Sequence, residues 1–248
     1  MYYYLYDSFL KEVQYRKALD KIENRLLELG INGRKSFLSF NSAFKEGLRK
    51  KIVNGIDTVV VIGDDKTIFQ AVNLLVDLNI VLGIIPIGKK NTISNALNII
   101  DSEAACQALL KRLIKKTSLG KINNYYFLSN IKLKKTKACL ECDSRYRINI
   151  LNRNNQLQVF NPGLNSEIDE GKNYFDNQLK LQIVGLDGFF KSFHKTIPSN
   201  FSLRRLKILD IPDSAEIYID DLEKTKGPAE VKMVPEKIRL IVGRRREV

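Results

Sequence analysis

Residues Ile56 to Asn95 read IDTVVVIGDDKTIFQAVNLLVDLNIVLGIIPIGKKNTISN. The stretch holds two short apolar runs, Thr58–Ile62 and Ile80–Ile85, both rich in β-branched side chains. Each run is apolar on both alternations, the pattern of a strand buried on both faces of a parallel sheet. Each also ends in a glycine-bearing turn that opens a helical pattern. The first turn is Gly63-Asp64-Asp65-Lys66-Thr67 and the second is Gly88-Lys89-Lys90-Asn91. A strand, a tight turn and a helix N-terminus offer unpaired backbone N–H groups and the positive end of a helix dipole, and both favour phosphate. Two such turns in succession are expected side by side at the carboxyl edge of the sheet, where open α/β folds take their ligands.

Working outward, the aromatic run Tyr2–Tyr6 reads as the first strand of the same sheet. Ser8 then reads as a helix N-cap. Apolar residues at Tyr15, Ala18, Leu19, Ile22, Leu26 and Leu29 form a helical stripe that Gly30 ends. A second strand is expected over Ile31–Phe40, and a helix from Asn41-Ser42 to about Val53. Downstream, Lys66–Val76 and Asn91–Ile99 read as helices. Asp101-Ser102-Glu103 caps a further helix over Ala104–Lys116, with Ala105, Leu109 and Leu113 on its buried side. The order βαβαβαβα implies a parallel sheet with right-handed crossovers.

The texture changes near Thr117–Gly120, which sets the expected domains at 1–118 and 119–248. The first is a three-layer α/β domain and the second an all-β sandwich, with the last strand able to pack back on the first domain. Beyond the boundary the segments are short and alternating, from Tyr125–Leu133 through Phe189–Thr196 to Ile238–Val242. Turn signals divide them, among them Asp187-Gly188, a strong hairpin signal. This is the pattern of a sandwich or flattened barrel.

Composition bounds the function classes. The chain has 248 residues and a formal charge of +13, which suits nucleotide phosphates or an anionic membrane surface. Nucleic acid is not expected, since no aromatic side chains are interleaved with the basic runs. No apolar run approaches the roughly 18–20 residues that span a bilayer. MYYYLYDSFLKE lacks a basic start followed by an apolar core, so a cytoplasmic protein is expected, with a peripheral membrane position allowed. The odd number of cysteines, three, fits reduced thiols, and Cys139-Leu140-Glu141-Cys142 has no second pair to complete a zinc site. His194, the sole histidine, reads as a surface residue, which argues against His-based nucleophilic catalysis. Phe189, Phe190 and Phe193 read as sandwich core or edge.

At its two turns the chain resembles the diacylglycerol kinase catalytic-domain family, which belongs with sphingosine kinases and NAD kinases. That family carries Gly-Gly-Asp-Gly-Thr after a strand like DTVVVIG, and Pro-x-Gly-Thr-x-Asn-Asp about twenty residues later. Gly63, Asp65, Thr67, Pro86, Gly88 and Asn91 match those patterns, while Asp64, Lys66, Lys89 and Thr92 depart from them. The resemblance weakens downstream. The family's Asp-Gly-Glu stands here as Asp220-Asp221-Leu222-Glu223, and a one-residue shift along a strand turns Glu223 to the opposite face unless a bulge corrects it.

The resemblance implies ATP- and Mg²⁺-dependent phosphorylation of a lipid hydroxyl. Phosphoryl transfer needs donors around the phosphates, a cation to neutralise charge and a proton acceptor. Gly63, Asp64, Lys66, Thr67, Gly88, Lys89 and Asn91 are the expected nucleotide-binding residues. Asp65 is the expected Mg²⁺ residue, and Asp65, Asp220 and Glu223 are the candidate catalytic carboxylates. The departures leave a second reading open, a degenerate relative that binds a nucleotide or another phosphate without catalysis. A third is an NAD-kinase-like activity. Expected partners are the nucleotide and a lipid at an anionic membrane surface, and a homodimer is allowed. Asp65→Ala is expected to abolish ATP-dependent activity and leave the fold intact.

Overall fold

The computed structural model describes residues 1–31, 33–134, 137–151, 154–162, 178–185 and 199–244, with residue 236 described for its backbone only. The chain forms two compact units, Met1–Thr117 with Glu236–Val248, and Ser118–Pro235. The fold class is the one expected, a parallel α/β sheet followed by antiparallel strands.

The first unit is built on β1 (Tyr2–Tyr6), β2 (Gly33–Phe37), β3 (Thr58–Gly63) and β4 (Val81–Pro86). They pair in the order β2-β1-β3-β4, all parallel. Helices α1 (Arg16–Glu28), α2 (Ser42–Val53), α3 (Asp65–Leu75), α4 (Thr92–Ala96) and α5 (Ser102–Lys111) connect them or follow them. Every residue of β3 and β4 is buried, as their two-sided apolar pattern requires. Covering one such aliphatic side chain contributes about 1.5–3 kcal/mol. The final strand β16 (Ala229–Ile241) begins in the second unit and ends in the first. There Arg239 and Leu240 run parallel to Val81 and Leu82.

Four local expectations are corrected. The first helical turn after β1 is a 3₁₀ turn, Ser8–Lys11, capped by Asp7 and not Ser8. The carboxylate one residue earlier already meets the N–H of Phe9 at 3.1 Å. The second strand is shorter than Ile31–Phe40 because Ile31 still closes α1, donating to Leu26 O at 3.1 Å. The helix expected over Ala104–Lys116 stops at Lys111, since Arg112 takes a left-handed conformation, φ 50°. The next residues enter strand β5 (Ile114–Ile122), and Leu113 is 45% exposed instead of buried. The last correction is an omission: strands run through Ser199–Leu203 and Arg205–Asp210, where the sequence reading placed none.

The second unit is all β among the described residues. One antiparallel group joins β13 (Arg205–Asp210), β8 (Ala138–Cys142) and β9 (Tyr146–Ile150) to the start of β16. The other runs β12 (Ser199–Leu203), β11 (Leu179–Gly185), β10 (Asn155–Phe160), β7 (Asn130–Lys134), β14 (Ile217–Ile219), β15 (Glu223–Thr225). Burial alternates along β7, β8 and β10, as it does when one face of each sheet meets a core. The expected strand Phe189–Thr196, the Asp187-Gly188 turn, His194 and the three phenylalanines lie outside the described residues. Among the described residues no helix is long and apolar enough to cross a membrane.

Candidate functional site

In the first unit Tyr6 lies opposite Ile62, and Gly63 opposite Pro86. Three neighbouring parallel strands therefore end together and release three loops side by side, beginning at Asp7, Asp64 and Ile87. Two of these are the turns singled out by sequence. The third brings in Asp7, which the sequence reading passed over in favour of Ser8. Only the pairing of β1 with β3, and not any local motif, places that residue beside Thr67.

The first turn is shaped by carboxylates. A Cβ on Gly63 would lie 2.5 Å from Thr67 Oγ1, so the close return of Thr67 requires glycine there. Asp64 is the N-cap of α3 and accepts from the Thr67 N–H at 3.1 Å. The Thr67 hydroxyl lies 2.7 Å from Asp7 Oδ2 and 3.1 Å from Asp64 Oδ1. One hydroxyl proton is thus shared between two carboxylates, and Thr67 itself is 1% exposed.

The second turn depends on Gly88, whose φ of +122° L residues rarely adopt. A Cβ there would meet Asp64 Cβ at 2.9 Å and Phe9 Cζ at 3.5 Å. The side chain that replaces the family's turn glycine thus lies directly against Gly88, between the two turns. Asn91 donates through Nδ2 to Gly88 O at 3.2 Å, while its Oδ1 is buried without a hydrogen-bond partner.

Asp65 ties the turns together. It is 2% exposed. Its Oδ1 accepts from the Ile93 N–H at 2.9 Å, and its Oδ2 from the Thr92 N–H at 2.9 Å and from the Thr92 hydroxyl. Its own N–H donates to Lys90 O at 2.9 Å. The N-terminus of α4 is therefore occupied by a carboxylate belonging to the chain.

What remains open is the loop before α4. Among the described residues, the N–H groups of Gly88, Lys89, Lys90 and Asn91 meet no protein acceptor. Lys66, Lys89 and Lys90 are exposed and have no anionic partner among those residues. Four backbone donors and three ammonium groups can receive phosphate oxygens. For Mg²⁺, the converging Asp7 and Asp64 carboxylates fit the one or two carboxylates that this ion takes beside phosphate and water. No group of three or more such ligands occurs among the described residues.

Asp220 and Glu223 belong to the second unit. Asp220 and Asp221 both have positive φ, 50° and 56°, and with Leu222 they form the loop of the β14–β15 hairpin, closed by Ile219 opposite Glu223. The segment is a turn and not a continuous strand, so strand alternation does not decide which way Glu223 faces. As the cross-strand partner of Ile219, Glu223 leaves the sheet on the Ile219 face. The Asp220 carboxylate accepts from the N–H groups of Leu128, Ser129 and Asn130 at 2.7, 2.8 and 2.8 Å. Burial pushes its pKa up to about 6, against the opposing pull of these three donors. Glu223 accepts from the adjacent Lys224 N–H at 3.1 Å.

Residues 11–122 match the diacylglycerol kinase catalytic domain. No curated protein matches by sequence. Among solved structures, a diacylglycerol kinase from Bacillus anthracis str. Sterne superposes with a TM-score of 0.75 at 18% identity, over 98% of this chain and 96% of that one. A second structure from the same organism, proposed to be a diacylglycerol kinase, gives 0.74 at 17% identity over 98% and 97% of the two chains. These likenesses establish the shared fold along nearly the whole chain. The resemblance read from the two turns to the diacylglycerol kinase catalytic domain is borne out by the sequence match over residues 11–122.

Proposed function

We propose that the chain binds the phosphates of a nucleotide at Gly88–Asn91 and acts as an ATP- and Mg²⁺-dependent lipid kinase with a rewired first turn. The observation that carries the reading is the row of four unpaired N–H groups flanked by Lys66, Lys89 and Lys90. These groups bind and orient phosphoryl oxygens. Asp64 and Asp7 would hold Mg²⁺, which supplies neutralisation of phosphate charge. Asp65 positions the second turn by holding the start of α4. Of the candidate carboxylates Asp65, Asp220 and Glu223, Glu223 is the one not engaged by backbone donors from another element among the described residues, which leaves it able to accept a proton. The lipid acceptor is inferred from the family.

One observation favours a degenerate, non-catalytic relative: the Asp64 side chain fills the approach to Gly88, where a carboxylate repels phosphate unless a cation intervenes. Thermal stabilisation by ATP, ADP and NAD, each with and without Mg²⁺, separates the two readings. Paired with it is transfer of labelled phosphate from ATP to diacylglycerol in mixed micelles. A shift with ATP that requires Mg²⁺, together with transfer, supports the kinase. Binding without transfer supports the degenerate relative, and no shift with any nucleotide removes nucleotide binding from both readings.

A further inference from the structure

A cavity of about 450 Å³ lies in the first unit, at the opposite end of α4 from the Asp65 cap. Asn95 and Asn98 line it from α4 and the residues just after, Ala104, Gln107 and Lys111 from α5, and Val242 to Arg244 from the segment after β16. Backbone bonds fix that last wall: the Val242 N–H donates to Leu113 O at 2.9 Å and the Gly243 N–H to Leu97 O at 2.8 Å. The size falls within the roughly 300–1,000 Å³ of small-molecule sites. This space plays no part in the nucleotide reading and stands apart from it.

Its chemistry is one-sided. Among the described residues, the only charged side chains in the lining are Lys111 and Arg244, and neither has an anionic partner among them. Lys111 has a structural use, since a cation in the last turn complements the dipole of α5. Arg244 follows a strand and has no such use. Three amide side chains, Asn95, Asn98 and Gln107, add neutral donors and acceptors. Ile100 and Leu113 complete the lining, 60% and 45% exposed, an uncovered apolar area beside two unpaired cations. The geometry points to a binding site for an anionic amphiphile of the alkyl phosphate class, its head at Lys111 and Arg244 and its chain on Ile100 and Leu113. The amides discriminate orientation, because they accept as well as donate.

Hexyl phosphate is the probe, with inorganic phosphate and hexanol carrying its head and its chain separately. Hexyl phosphate at about 100 times its Kd is expected to raise the melting temperature of the full chain by roughly 5 °C, and neither fragment to match it. The rise should vanish in Lys111→Glu/Arg244→Glu, which reverses the head site. It should vanish independently in Ala104→Trp, which fills the cavity and keeps both cations. Equal rises with inorganic phosphate or with hexanol would overturn the proposal, as would an undiminished rise in both variants once circular dichroism shows them folded. Sedimentation with phosphatidylcholine vesicles, with and without phosphatidylglycerol, identifies the source. Binding that needs phosphatidylglycerol and is lost in the same variants supports the site with a membrane lipid as ligand. A hexyl phosphate response without vesicle binding supports it with a free amphiphile.

Discussion

Asp65 shows how one side chain can serve a fold while matching a catalytic motif. A carboxylate that is 2% exposed is costly to bury unless its oxygens are met, and here backbone N–H groups of Thr92 and Ile93 meet them. Asp65→Ala would leave those donors unpaired, and each buried unsatisfied group costs about 1–3 kcal/mol. The expectation that this substitution spares the fold is therefore revised. Melting should fall by about 2–4 °C for each kcal/mol lost, and Asp65→Asn, which keeps one acceptor, should fall less. Equal stability of Asp65→Ala and wild type in a melting scan would remove the cap from the account. Asp220 yields a prediction of opposite character. Its pKa stands near 6 in the folded chain, above the unfolded value of 3.8. The native state therefore holds more protons between those values, and stability falls as pH rises through them. The contribution of neutral Asp220 is fully present below about pH 4 and gone above about pH 6. Melting temperatures from pH 4 to 7 should decline more steeply for wild type than for Asp220→Asn, and parallel curves would refute the shift.

At the scale of elements, the legible parts were those with a strong period or a forced turn. β3 and β4 announced themselves by apolar runs on both alternations, and Gly63 and Gly88 by the tight turns they close. α5 was misjudged because Leu109 and Leu113 continue a helical spacing past Arg112, whose left-handed backbone leaves no local mark. β13 was missed because Arg204, Arg205 and Lys207 hide the buried alternation of Leu206 and Ile208. Asp7 became part of the site only through strand pairing, which no single stretch of sequence encodes. The pair of turns can also be tested as an element. Asp64→Gly restores the family's residue, removes a carboxylate from the face of Gly88 and gives up an N-cap. Gly at that position costs only a few tenths of a kcal/mol, so the melting temperature should move by about 1 °C. ATP affinity without Mg²⁺ should rise about tenfold, which corresponds to about 1.4 kcal/mol of removed repulsion, while dependence on Mg²⁺ weakens. Calorimetric titration that shows unchanged affinity would mean Asp64 does not oppose the phosphates.

For the molecule as a whole, the first unit is not contiguous in sequence. It takes Glu236–Val248 from the far end of the chain, and the reason lies in β4. Val81 and Leu82 are 3% and 0% exposed, with β3 on one side and Arg239 and Leu240 of β16 on the other. Removing the returning strand would turn a buried central strand into an open edge, with unpaired N–H and C=O groups and a template for pairing with other chains. Further ties hold the return in place: Lys237 pairs with Asp77 at 3.2 Å, and Arg239 donates to the Asn79 carbonyl. The paired, buried strand supplies most of the stabilisation, because exposed ion pairs contribute only about 0–1 kcal/mol each. Residues 1–117 expressed alone should therefore aggregate or melt without cooperativity, although they carry both glycine turns and nearly all of the matched catalytic-domain segment. Appending residues 236–248 through a flexible Gly/Ser linker should restore a cooperative transition, because the linker need only deliver the strand to β4 and its closure entropy grows slowly with length. A sharp melt of 1–117 alone, at the temperature of the linked form, would show that β4 tolerates a free edge. It would also mean that the returning strand is dispensable to the unit that carries the turns.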